Sequence, residues 1–156
     1  MNTQLFLLFL FVALLILPSF VQKAKDKLYN GNGFSITYPY NWEISVENDV
    51  AHLFPTNNNG SVTVACYTGI EVPEEEMPAF LMGIYQLNAT DTKLFRMPAG
   101  ERTDFFFEHT KGGLHWFTKA IHVNQKIYLL AANCEVSKWN TSKSLFLKVI
   151  HSFRLL

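Results

Sequence analysis

Three side chains in the C-terminal half have the residue types of a metal or thiol site: Glu108, His115 and Cys134. A carboxylate, an imidazole and a thiolate make a donor set for a divalent ion such as zinc. A thiol beside an imidazole is also the pairing that activates a cysteine nucleophile. Their spacing along the chain matches no ligand motif, so strand register alone would have to bring them together. The competing reading is structural. A partly buried histidine hydrogen-bonds its neighbours while Cys134 points into a layer between sheet and helix. On the residues alone the structural reading is preferred, and a metal-dependent or thiol enzyme using His115, Cys134 and Glu108 is the alternative.

The register follows from the turns. Residues 103–110, 114–123 and 126–135 read as three strands joined through Gly112-Gly113 and Asn124-Gln125, both two-residue hairpin loops. Lys111 then faces Leu114, Phe107 faces Thr118, Ala120 faces Leu129 and His115 faces Cys134. One face carries Phe105, Phe107, His109, Trp116, Ala120, His122, Ile127 and Leu129. The other carries Phe106, Glu108, Phe117, Lys119, Ile121, Tyr128, Leu130 and Cys134. Apolar side chains on both faces predict an antiparallel sheet covered on each side.

Upstream, Phe34, Ile36 and Tyr38 alternate with Ser35 and Thr37, the period of a half-buried strand. Pro39 has no N–H to donate and ends it. Trp42, Ile44 and Val46 open a second strand, 50–54 a third, and Val62, Val64 and Cys66 a fourth. Glu74-Glu75-Glu76 before Met77-Pro78 marks a helix start, with Met77, Phe80, Leu81, Ile84 and Leu87 as its apolar stripe. The acidic run with Glu71 would attract a cation or a basic partner, although such runs are more often solvated helix starts. Residues 89–98 read as a connector with a short strand at 94–95. A final helix capped by Thr141 or Ser142 would bury Leu145, Phe146, Val149, Ile150 and Phe153.

The first 22 residues hold no charged side chain, and 5–21 is apolar apart from Pro18-Ser19. Two readings remain for 1–24: a cleaved signal peptide, favoured by Pro18-Ser19, or a retained hydrophobic anchor helix. Lys23, Lys25 and Lys27 would hold the domain on the cytoplasmic side if the helix were retained; export, periplasmic or extracellular, is the preferred reading. Any membrane contact is then confined to 1–22. Residues 25–32 read as a linker and 33–156 as one domain. From Leu28 onward ten basic and twelve acidic side chains give a net charge of −2. No basic stripe stands out, which argues against nucleic acid as a partner. Cys66 and Cys134 would pair in an oxidising compartment or sit as two small buried hydrophobes. No phosphate loop occurs and no cofactor is expected.

The order of Phe-x-Ile-x-Tyr-Pro-x-x-Trp (Phe34, Ile36, Tyr38, Pro39, Trp42), short strands, an acidic-start helix, a meander holding Tyr128, and a closing Ile150, Ser152, Phe153 and Arg154 resembles the PsbP-like family. The resemblance implies an α+β fold: an antiparallel sheet of about six or seven strands flanked by helices, an α/β/α sandwich, with Phe34–Trp42 as the sheet's first edge. It also implies binding and accessory assembly rather than catalysis. The family includes an extrinsic photosystem II subunit, a nuclear import factor that binds the Ran GTPase, and exported bacterial members of unknown function. This chain lacks a lipid-bearing cysteine and a plastid transit peptide, so a photosynthetic role is not expected. The matching residues read as core and turn formers, and none carries over as a binding residue. The expected function is therefore non-enzymatic contact with an unknown protein partner. The aromatic residues Tyr40, Tyr85, Trp116 and Trp139 are the candidate partner surface.

Overall fold

The computed structural model describes residues 25–88 and 92–156. The expected signal or anchor at 1–24 lies outside the described residues. Strands β1 (Lys27–Gly31), β2 (Phe34–Tyr38), β3 (Trp42–Glu47), β4 (Val50–Pro55) and β5 (Ser61–Thr68) precede helix α1 (Met77–Tyr85). Strands β6 (Leu94–Ala99), β7 (Arg102–Lys111), β8 (Leu114–Val123) and β9 (Lys126–Glu135) follow. A short 3-10 turn then leads into helix α2 (Trp139–His151), and β10 (Arg154–Leu155) closes the chain.

The strands form two antiparallel sheets. Seven run in the order β3-β4-β5-β9-β8-β7-β6, and three in the order β1-β2-β10. Residues 25–32, expected as a linker, thus contain β1. Phe34–Trp42 is not the first edge of one sheet either: β2 is the middle strand of the small sheet, and Trp42 begins β3 at an edge of the large one. The bend between them is closed by the Trp42 amide donating to the Pro39 carbonyl at 3.0 Å.

The hairpins follow from backbone handedness. Asn48 and Asp49, Gly112 and Gly113, and Asn124 and Gln125 all have positive φ. Two consecutive left-handed residues make a turn whose twist matches that of the flanking strands. Register is fixed accordingly: Glu47 faces Val50, Lys111 faces Leu114, and Val123 faces Lys126. The expected pairs Phe107–Thr118, Ala120–Leu129 and His115–Cys134 all form.

Because side chains alternate across a strand, this register splits the core into two layers. Met77, Leu81 and Met82 of α1 pack on Phe105, Phe107, Ala120, Ile127 and Leu129. Phe146, Val149 and Ile150 of α2 pack with Ile121, Tyr128, Leu130 and the β2 residues Phe34, Ile36 and Tyr38 on the other face. One helix therefore covers each face. Two helical stripes differ from expectation. In α1, Ile84 is exposed and Met82 is buried. α2 starts at Trp139, ahead of Thr141 and Ser142, with no side-chain cap, and Leu145 is exposed. The Ser152 hydroxyl accepts the Thr37 amide at 2.8 Å. Phe153 stacks on Phe34 with centroids 5.4 Å apart. These contacts tie the end of α2 to the small sheet.

Candidate functional site

The β7–β8 hairpin puts Glu108 diagonal to His115 on the α2 face. Their side chains meet, with Glu108 Oε2 2.9 Å from His115 Nε2. Lys143 of α2 donates to Glu108 Oε1, also at 2.9 Å. The His115 ring stacks on Trp139 at 4.3 Å, and Lys143 Nζ sits 5.7 Å from the Trp139 centroid. Partial burial pushes the Glu108 carboxyl up, but the hydrogen bonds and charges of Lys143 and His115 outweigh it and hold it below its usual range. The group is a clasp that fastens the hairpin to the start of α2.

Cys134 lies opposite His115 but is only 1% exposed. Burial pushes its thiol up, which keeps it protonated and a poor nucleophile. Among the described residues, no group of three His, Cys, Asp or Glu side chains is placed to hold a metal. The zinc reading of Glu108, His115 and Cys134 is corrected accordingly: the side chains of Glu108 and His115 hydrogen-bond each other, and Cys134 is core.

The two cysteines are free. Cys66 faces Tyr128 on β9, six residues from Cys134 along that strand. At roughly 3.3 Å per residue this is about 20 Å, far beyond disulfide reach. Of the two readings of these thiols, the Cys66–Cys134 bridge does not form in this fold.

The four candidate aromatics do not converge. Tyr40 is 54% exposed at the β2–β3 bend. Trp139 is 5% exposed and belongs to the core, so it drops out of the partner surface. Tyr85 and Trp116 are half-buried on the α1 face and joined through His109, whose ring lies 5.4 Å from Tyr85 and 5.9 Å from Trp116. His109 Nδ1 is buried without a hydrogen-bond partner. Burial first, then the charges of Lys111 and His115, hold this imidazole below its usual pKa, which favours its neutral form.

A different aromatic surface lies on the other face at the β6 edge. Phe95 and Met97 are 53% and 52% exposed. Phe106 and Phe117, on neighbouring strands, are half-covered. Together with Lys93 and Glu108, Phe95, Phe106 and Phe117 line a cleft of about 270 Å3. Lys93 Nζ sits 4.8 Å from the Phe95 centroid and Lys119 Nζ 5.3 Å from that of Phe106. Behind them the buried carboxylate of Asp104 meets Lys119 Nζ at 2.8 Å and Arg102 Nε at 3.2 Å. Neither helix contributes to the lining of this cleft, and β6 ends the large sheet. The period-two alternation of Phe95 and Met97 was the sequence signal for it. Reading only 94–95 as strand stops short of that signal.

No family model and no curated protein matches this chain. Solved structures do. The solution structure of cyanobacterial PsbP (CyanoP) from Synechocystis sp. PCC 6803 superposes with a TM-score of 0.64 at 15% identity. That match covers 88% of this chain and 96% of the other. A crystal structure from Bacteroides thetaiotaomicron matches with a TM-score of 0.52 at 11% identity, over 86% of this chain and 49% of that one. The fold is PsbP-like.

Proposed function

We propose that this PsbP-like domain is a non-enzymatic binding or accessory domain, exported or tethered by its N-terminal segment, that acts through contact with a protein partner. One observation carries the reading: the uncovered apolar patch of Phe95, Met97, Phe106 and Phe117 beside the open edge strand β6. A sheet edge offers unpaired backbone groups, and an adjoining aromatic cleft supplies side-chain pockets; together they suit a partner's extended segment. Pro98 removes one donor from that edge, which limits strand pairing to the stretch before it.

The test is a photo-crosslinking residue at position 95 of the full chain, with position 43 on the exposed outer side of β3 as control. In native membrane and soluble fractions, position 95 should give a discrete adduct that position 43 does not. Equal labelling from both positions, or none from 95, overturns the reading. Protease treatment of intact cells reports the side: cleavage from outside supports export, and protection supports an anchored, cytoplasm-facing domain.

A further inference from the structure

The register fixes which backbone groups the open edge of β6 presents. Ala99 pairs with Arg102 across the two-residue turn Gly100-Glu101, and Gly100 has φ +70°. In such a turn the closing pair exchanges both backbone hydrogen bonds, and the exchange recurs at every second residue. Phe95, Met97 and Ala99 therefore bond to β7. Leu94, Arg96 and Pro98 turn their backbone groups to the open side. Pro98 fits this placement, since a residue without an N–H stands where no ladder bond needs one. The edge thus offers two N–H donors, on Leu94 and Arg96, and the carbonyls of Leu94, Arg96 and Pro98.

These groups are self-complementary. Within β6 a second copy can pair antiparallel about a two-fold axis at Phe95, Arg96 or Met97. The Phe95 register sets Leu94 of each copy against Arg96 of the other, and every outward donor meets a carbonyl. The Met97 register sets Arg96 against Pro98, which has no N–H, and half of those bonds are lost. The Arg96 register sets two guanidinium-bearing residues face to face, and like charges directly opposite destabilise a sheet. Hydrogen bonding and charge together select Phe95 as the axis.

The side chains agree with that choice. Phe95 and Met97 leave about half of their surface open on one face of the edge, with Phe106 beside Phe95 on β7. In this register Phe95 meets Phe95 of the second copy as a non-hydrogen-bonded pair, the closer kind, where two aromatic rings stabilise a sheet. Met97 lies opposite Lys93 of the second copy, whose aliphatic stem can cover it while its amine stays over its own Phe95 ring. On the other face each Arg96 is neutralised by its own Glu74. Joining the two edges hides on the order of 1,000 Å2 in total, the low end for a specific contact, so the dimer is a weak one. A two-fold contact uses both β6 edges and closes on itself.

We propose that β6 pairs with β6 of a second copy of this chain, antiparallel about a two-fold axis at Phe95, so that two seven-stranded sheets become one. The proposal rests on reading the β6 patch as a binding surface, and it names the occupant.

The experiment uses the purified full chain in mild detergent. At the axis the two Cα atoms of residue 95 stand about 4.5 Å apart, within disulfide reach. Mild oxidation should therefore link Phe95→Cys into a dimer. Tyr40→Cys, at a position of matching exposure (54%), should stay monomeric, and Met97→Cys, off the axis, should link less than Phe95→Cys. The wild-type chain under the same oxidation sets the background from Cys66. Without oxidant, the wild type should self-associate in sedimentation equilibrium with a Kd on the order of 100 μM. Arg96→Pro removes an outward N–H and no internal ladder bond, so it should keep the melting curve and weaken association about tenfold or more. Equal linking at positions 40 and 95, stronger linking at 97 than at 95, or a wild type still monomeric at about 1 mM overturns the proposal. So does unchanged association in a folded Arg96→Pro. If that variant does not fold, the cysteine series and the wild-type sedimentation decide. A monomeric wild type whose position 95 still crosslinks a different protein in native fractions sinks the self-pairing and leaves the partner reading of the patch standing.

Discussion

At Gly60 the backbone runs at φ +94°, and a Cβ there would run into the Asn133 carbonyl oxygen and Cys134 Cβ. Glycine is required twice over, by handedness and by space. Gly60→Ala should cost about 2 kcal/mol or more in urea unfolding. Gly69→Ala makes a matched control, since it shares a positive φ but has open space around it. His109 supplies a pH effect. Its folded pKa is depressed, so the unfolded chain binds the proton more readily. The stability it contributes is present above the unfolded value of about 6.5 and is lost as pH falls through the folded one. Melting temperature should therefore drop between about pH 7.5 and 5.5. His109→Phe, which keeps a ring between Tyr85 and Trp116, should flatten that drop. An unchanged slope in the variant would assign the effect to other groups.

At the scale of elements, the β5–β9 ladder decides the fate of the thiols. Holding Cys66 against Tyr128 and Cys134 against His115 keeps the sulfurs apart. Unfolding in a non-reducing alkylating buffer should therefore label both cysteines, and mass spectrometry should find two adducts. One hairpin shows how far sequence can carry such detail. Taking Gly112-Gly113 and Asn124-Gln125 as two-residue loops, His115–Cys134 follows from counting, and the positive φ of both pairs bears that loop length out. No comparable constraint marks β1. In Lys27–Gly31, Leu28 points outward and is well exposed, so the apolar alternation of a half-buried strand is missing. Trp139 misled for a related reason. Without a side-chain cap the start of α2 has no sequence marker, and one extra turn carried Trp139 from the surface into the core. The β6 patch was obscured because its apolar side chains face outward, which is where a binding surface departs from the inside-out pattern. The Glu108–His115 contact was legible from register. Its role was not, because Lys143 and Trp139 come from a helix that register does not place.

At the scale of the molecule, α2 joins the two sheets. Phe153 packs on both Phe34 and Tyr128, with centroids 5.4 and 5.5 Å apart. Phe153→Ala should cost about 3–5 kcal/mol, read as a lower urea midpoint. A loss under about 1 kcal/mol would mean that the small sheet docks without it. The pairing of β10 with β2 has a consequence in time. Arg154 sits against Ser35, across nearly the whole length of the described chain. Contacts of such separation form late and slowly. Until residues 152–155 are in place, one edge of β2 is unpaired and the Phe34 ring lacks Phe153, so closure of the small sheet belongs to the last stage of folding.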